Sequence, residues 1–170
     1  MHMIMEDKTI ILNDTQIRSK LKRISYQILE ANLKNSDIVI AGIESNGYKI
    51  AKEVKKILNK ISELEVILCK VIIDKKNPRN PIKTSINKEI YTNKSIVLID
   101  DVLNSGSTLI YGVKHFLEAE VVQFKTAVLV NRNHKKFPVK ADFKGISLST
   151  SMQNHVLVEF KGSKIEALIV

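Results

Sequence analysis

Short runs of purely apolar residues, each followed by a stretch with a helical period, constrain this chain more than any other feature. Asp37-Ile38-Val39-Ile40-Ala41-Gly42-Ile43 and Ser95-Ile96-Val97-Leu98-Ile99 show no polar alternation. A strand with one face in water alternates, so a strand that does not alternate needs cover on both faces, as in a parallel sheet flanked by helices. Ile17, Leu21, Ile24 and Ile28 recur at four-three-four spacing, and so do Ile50, Val54, Ile57 and Ile61, which places each set on one helix face. Asn13 or Asp14 is the expected N-cap of the first of these helices. Thr9-Ile10-Ile11-Leu12 reads as a short extended start and Leu64 to Asp74 as a longer strand. Leu109, Val113, Phe116 and Leu117 give a third helix, and Val121 to Asn131 a further strand. From Asp142 onward the chain reads as short strands around Val156-Leu157-Val158. A β-α-β-α-β series of this kind is an α/β fold, and such sheets bind ligands at the carboxyl ends of their strands.

At 170 residues the chain is read as one domain, residues 1–170, around a single core. Lys and Arg total 27 against 18 Asp and Glu, a formal charge of +9. That balance suits nucleic acid, anionic membranes and phosphorylated small molecules alike. With 23 Lys and 4 Arg, most of it reads as a solvated lysine surface. No apolar run reaches the roughly 18 residues of a membrane span. Met1 to Asp7 lacks the basic end and apolar stretch of a signal peptide. Cys69 stands alone, so no intramolecular disulfide is expected; the setting is read as cytoplasmic and Cys69 as a core residue.

The stretch Val97-Leu98-Ile99-Asp100-Asp101-Val102-Leu103-Asn104-Ser105-Gly106-Ser107-Thr108 carries the chemistry. A buried strand delivers two carboxylates to its carboxyl end, a small polar loop follows, and a helix begins. The loop offers backbone N–H groups, three hydroxyls and a glycine. With the positive end of the helix dipole behind it, this is an anion cradle suited to a monophosphate. Two adjacent carboxylates repel phosphate but suit the vicinal hydroxyls of a ribose. Together they describe a site for a ribose 5-phosphate. The phosphate-loop pattern G-x-x-x-x-G-K-[ST] and the dinucleotide pattern G-x-G-x-x-G are both absent.

This stretch resembles the 5-phosphoribosyl-1-pyrophosphate (PRPP) motif of type I phosphoribosyltransferases. Ala127 to His134 and Phe137 to Gly145 are similar to the downstream signature of the PyrR family, pyrimidine operon attenuators with uracil phosphoribosyltransferase activity. Gln16 to Asn32 and Ala41 to Ala51 run parallel to the same family, so the likeness spans about residues 9–160. It implies a type I phosphoribosyltransferase-like parallel sheet flanked by helices, with a flap and a small C-terminal hood. By the same resemblance, Asp100 and Asp101 hold the ribose hydroxyls and serve Mg²⁺ indirectly, through PRPP. Asn104, Ser105, Gly106, Ser107 and Thr108 hold the 5-phosphate. Glu44, Ser45, Asn46 and Gly47 form the pyrophosphate loop, which in this superfamily often contains a non-proline cis peptide. Residues 75–94, polar and without a sustained period, match the mobile flap. There Lys75, Lys76, Arg79 and Lys83 bring positive charge to the pyrophosphate. Arg132 lies near the base and pyrophosphate, with His134 as a positioning residue. The implied reaction is Mg²⁺-dependent transfer of 5-phosphoribose from PRPP to a nucleobase, with uracil the first expectation, in nucleotide salvage. The alternative is a PyrR-like RNA-binding regulator of pyrimidine genes with weak or no catalysis.

Three positions depart from the family pattern. Asn46 and Ser107 stand where the family has arginine, and Asn131 stands where it has aspartate. The two arginine losses remove bidentate phosphate donors. RNA binding is less favoured: the first helix keeps Arg18, Lys20, Lys22 and Arg23, but Tyr26 and Ser45-Asn46 replace the family's histidine and Thr-Arg, so charge survives better than specific donors. The resemblance also implies a homo-oligomer, a dimer in the first instance.

Overall fold

The apolar run Asp37–Ile43 forms β2, the strand about which the rest is arranged. The structure is a computed structural model that describes residues 8–149 and 154–170; the Met1 to Asp7 segment weighed against a signal peptide, His2 included, lies outside them. In chain order the elements are β1 (Thr9–Leu12), α1 (Asp14–Glu30), β2, α2 (Asn46–Ile61), β3 (Glu65–Ile72), β4 (Lys83–Thr84) and α3 (Lys88–Tyr91). They continue with β5 (Ser95–Leu103), α4 (Ser107–Phe116), β6 (Gln123–Arg132), β7 (Phe143–Leu148), β8 (Val156–Lys161) and β9 (Lys164–Ile169). The main sheet has the order β4-β3-β2-β5-β6-β7. All its pairs are parallel except the short edge strand β4.

Successive residues of the central strands feed different cores, which is why these strands carry no polar alternation. Ile38, Ile40, Val97, Ile99, Ala127 and Leu129 face one side, with Ile17, Leu21, Ile24 and Ile28 of α1 and Ile50, Val54 and Leu58 of α2. Val39, Ala41, Ile43, Ile96, Leu98 and Val128 face the other, with Leu109 and Phe116 of α4. Cys69 is fully buried there, as its sequence setting implies. Burying both faces of a sheet is a large apolar area removed from water, at about 25 cal/mol per Å².

Two regions are organised more fully than the sequence suggests. β7 is a sixth strand of the main sheet, parallel to β6 from Ala127↔Phe143 to Arg132↔Leu148. β8 and β9 form a separate antiparallel sheet that also takes in the N-terminal strand, in the order β1-β9-β8. The expected C-terminal hood is therefore built from both ends of the chain. The expected flap, residues 75–94, divides into two parts. Its second half is folded: Lys83 and Thr84 pair with Ile72 and Val71, and Tyr91 is buried against Phe116 with ring centroids 5.0 Å apart. Residues 74–80 form a turn around Asp74, whose carboxylate accepts from the Lys76 and Asn77 N–H groups and from Asn80 Nδ2. Those hydrogen bonds hold the Asp74 carboxyl below the usual carboxylate range. Ile82 and Ile86 pack on the α4 side of the sheet. The packed residues Ile82, Ile86 and Tyr91 are few in a polar stretch, and Ile90 is exposed, so no sustained apolar face shows in the sequence.

Candidate active site

The strand order reverses between β2 and β5. From β2 the chain proceeds to β3 on one side, and from β5 to β6 and β7 on the other. The carboxyl ends of these two strands diverge into a crevice, the ligand-binding position of open α/β sheets. The loops at this point are residues 44–47, after β2, and residues 104–108, after β5. Residues 104–108 were singled out by their residue types and residues 44–47 by the family resemblance, and the topology brings them together.

The second loop turns on Gly106, whose φ of 86° lies in the left-handed region. A Cβ there would also sit 2.6 Å from Val139 Cγ1, so glycine is required twice over. The loop is braced from outside, because the Ser105 carbonyl accepts from the Lys136 N–H at 2.8 Å and the Phe137 N–H at 3.1 Å. Helix α4 then begins with no side-chain cap and no acid in its first turn. Its first N–H groups are left for an external acceptor, apart from Ser107, which donates to Ser105 Oγ at 3.2 Å. This is the cradle expected from Asn104, Ser105, Gly106, Ser107 and Thr108, all five of which line the cleft.

Asp100 and Asp101 lie side by side just before that loop, and their environments differ. Asp100 is 4% exposed, and burial pushes its carboxyl up to about 8, helped by neighbouring Asp101 and opposed by Lys75. The Lys75 ammonium sits 3.8 Å from Asp100 Oδ1. Asp100 Oδ1 also accepts from the Asp101 N–H at 2.9 Å. Asp101 Oδ1 accepts from the Val102 N–H at 2.8 Å and Asp101 Oδ2 from Asn46 Nδ2 at 3.0 Å. One carboxyl of the pair is thus disposed to hold a proton at neutral pH, and the other is fixed by donors.

In the first loop the Glu44–Ser45 peptide is cis, as the resemblance implies. Glu44 and Ser45 are exposed at the rim, Asn46 lines the cleft, and Gly47 is buried beneath the end of β5. A Cβ on Gly47 would lie 2.6 Å from the Ile99 carbonyl oxygen and 3.0 Å from Asp100 Cα. Glycine therefore lets the start of α2 come up against the strand that carries the acids. Ser45, the α2 N-cap, makes no side-chain cap bond, and the first turn has no acid.

The cleft holds about 250 Å³ and is lined by Asn46, Lys75, the whole run from Asp100 to Leu109, and Val128, Val156, Leu157 and Val158. Arg132 does not line it. Its Nη1 donates to Asn104 Oδ1 at 3.1 Å, and it borders an adjoining cavity of about 480 Å³ with His134, Lys136 and His155. The two cavities share Asn104, Ser105, Val156 and Leu157, so Arg132 braces the phosphate-type loop from behind while facing a neighbouring space. Val156, Leu157 and Val158 were legible as a strand but not as a wall of the site, and no local signal marks that role. Asn131 is buried, with its amide donating to Ser147 Oγ at 3.3 Å and its Oδ1 unpaired. No cluster of three or more His, Cys, Asp or Glu side chains able to hold a metal occurs among the described residues. No helix among them is long and apolar enough to cross a membrane.

The phosphoribosyl transferase domain family matches residues 8–160. The chain belongs to that family. Its relatives place it on the PyrR branch: it is 30% identical over 154 residues to a Bifunctional protein PyrR of Streptococcus agalactiae, covering 88% of each chain. It is 32% identical over 160 residues to the Bifunctional protein PyrR of Fusobacterium nucleatum, covering 89% of this chain and 90% of that one. Among solved structures it superposes on the hypoxanthine phosphoribosyltransferase of Trypanosoma cruzi with a TM-score of 0.75, 12% identity and coverage of 94% and 95%. That likeness speaks for the fold, which is the type I phosphoribosyltransferase fold. As a phosphoribosyltransferase the chain is a pentosyltransferase.

Proposed function

We propose that this phosphoribosyltransferase moves 5-phosphoribose from PRPP to a pyrimidine base, uracil first among them. The observation that carries the reading is the convergence at one crevice of an uncapped α4 start, an adjacent acid pair and an uncapped α2 start. The N–H groups of residues 105–108 hold the 5-phosphate, Asp100 and Asp101 accept from the two ribose hydroxyls, and the backbone of residues 44–47 takes the pyrophosphate. The base then lies on the remaining wall, Val128 and Val156 to Val158, on the side of Arg132.

Mg²⁺ fits this donor set. The acids are hard oxygen ligands, the Lys75 ammonium beside Asp100 marks a place where a cation is favourable, and Mg²⁺ binds through one or two carboxylates together with substrate phosphates. When bound, Mg²⁺ neutralises charge on the leaving pyrophosphate. The protein's own part is positioning. The acids orient the ribose, the paired N–H cradles fix both ends of PRPP, and the negative charge of the acid pair close to the ring favours the positive charge that develops at the anomeric carbon. Lys75, at the start of the flap, reaches the cleft and brings its ammonium to Asp100. No side-chain nucleophile is needed, because the base nitrogen attacks directly.

The test is incubation with PRPP, Mg²⁺ and a panel of bases, read as pyrophosphate release. Release with uracil is the expected result, and the absence of release with every base in the panel would overturn this proposal. The regulator reading has less behind it. Arg18 is engaged with Asp14, Glu53 and the Ser163 carbonyl, and Arg23 with the Lys144 and Gly145 carbonyls. Two of the four cations of α1 are thus already partnered. Sequence-dependent RNA binding in the same preparation would restore that reading.

A further inference from the structure

Asn46 was expected as part of an anion loop, where its side chain replaces an arginine. Its carboxamide does something else. The single nitrogen Nδ2 donates twice, to Asp101 Oδ2 at 3.0 Å and to the Val158 carbonyl oxygen at 2.7 Å. Both partners are pure acceptors, so chemistry as well as geometry requires the nitrogen, not the oxygen, at this point. Both of its hydrogens are used. One bond reaches the acid pair on β5, and the other reaches the middle of β8, in the separate three-stranded sheet.

Val158 and its neighbours Val156 and Leu157 line the cleft opposite the acids. Among the described residues, the other side-chain hydrogen bonds between that sheet and the helices lie at its far end, where Asp14 accepts from the Ile165 N–H and Arg18 donates to the Ser163 carbonyl. Beside them the Lys49 ammonium lies 5.1 Å from the Phe160 ring centroid. At the site end, Asn46 spans the gap.

We propose that Asn46 is a positioning residue that fastens strand β8 to Asp101, so that the wall against which the base lies takes its place from the acid pair. This rests on the PRPP-and-base reading above for its kinetic consequence, but not for its structural one. A side chain holding two parts of a pocket at fixed separation affects the substrate between them more than the substrate anchored on one side. The base lies between β8 and the acids, whereas PRPP is anchored on the two loops.

Three variants separate the possibilities. Asn46→Asp keeps the shape and removes both donors, setting a carboxylate against Asp101 and the Val158 carbonyl. Asn46→Ala removes the group, and Asn46→Gln keeps the amide on a longer arm. With uracil as the probe base, KM for uracil should rise ~10-fold or more in Asn46→Ala, further in Asn46→Asp, and less in Asn46→Gln, while in Asn46→Ala and Asn46→Gln, which add no charge, the PRPP concentration giving half-maximal thermal protection moves by less than ~3-fold. A space-filling role would leave Asn46→Asp near wild type, and that result overturns the proposal. An equal or larger loss of PRPP protection in Asn46→Ala also overturns it, since the side chain would then be a pyrophosphate ligand. Hydrogen–deuterium exchange of residues 154–161 in the ligand-free protein is the readout independent of activity. Faster exchange in Asn46→Ala and Asn46→Asp supports the tie, and unchanged exchange refutes it. Should wild type gain no protection from PRPP, the functional reading fails and the exchange result alone decides the tie.

Discussion

The N-terminus of α1 and those of α2 and α4 are built on opposite plans. At α1, Asn13 Oδ1 accepts from the Gln16 N–H at 2.9 Å and Gln16 Oε1 accepts from the Asn13 N–H at 2.9 Å, a complete capping box, with Asp14 in the first turn. At α2 and α4 there is no side-chain cap and no first-turn acid. A side-chain cap contributes typically about 1 kcal/mol, so leaving two helices without one is a real loss of stability. Helix α1, which only supports the sheet, keeps its cap; the four-residue α3, also away from the crevice, has no side-chain cap but carries Glu89 in its first turn. The two helices that start at the crevice leave their N–H groups for a ligand, and their lack of a negative side chain leaves the dipole uncompensated there. The contrast separates groups that hold the molecule together from groups that wait for a substrate.

Four substitutions break or sharpen that contrast, in descending order of effect. Asp100→Asn with Asp101→Asn leaves the fold and removes the ribose end of the site, so PRPP should no longer raise the melting temperature. Protection that survives in this double variant would move the site elsewhere. Gly47→Ala drives a methyl group to 2.6 Å from the Ile99 carbonyl oxygen, against backbone that cannot rotate away. A loss of about 2–4 kcal/mol in denaturant unfolding is expected, together with lost PRPP protection, because the start of α2 must retreat from β5.

A third test uses pH. The Asp100 carboxyl titrates near 8 in the folded protein and starts from 3.8 without its surroundings. Between those values the folded state keeps a proton that the unfolded state has released. The ligand-free protein therefore loses stability as pH rises from about 4 to about 8 and levels off above. Asp100→Asn removes that slope and should raise ligand-free stability at pH 8 by on the order of a few kcal/mol. A variant that follows the wild-type slope would show that Asp100 is not the group responsible. Last, Asn13→Ala should cost about 1 kcal/mol by chemical unfolding and leave KM for PRPP unchanged. A change in KM there would erase the distinction between the two kinds of helix start.

Much of this was readable along the chain where the cause is local. β2 and β5 show as unbroken apolar runs because both their faces are buried, and the residue types from Asp100 to Thr108 mark the segment that lines the cleft. The cap of α1 was legible to within one residue, as Asn13 or Asp14, and Asn13 makes it. What escaped depends on distant partners. Nothing near Phe143 to Leu148 says that it pairs with β6, and nothing near Thr9 says that it lies against Ile169. The folded half of residues 75–94 rests on Ile82, Ile86 and Tyr91, too sparse to form a period. Asn46 read as a deficit, an arginine lost, because its gain lies 112 residues away at Val158.

The sheet that joins Thr9 to Ile169 has a further consequence. Its middle strand, β9, comes at the end of the chain, while one of the two strands flanking it comes near the beginning. A chain emerging from the ribosome can pair β2, β3, β5, β6 and β7 as they appear, but β8 and β1 have no strand to join until residue 169 is free. The anion loops therefore stand before the wall that faces them is complete. The adjacency of the first and last strands also makes the molecule a natural subject for circular permutation. A short bridge from β9 to β1, with new ends opened at the 74–80 turn, would let that wall form early and would separate the order of synthesis from the order of assembly.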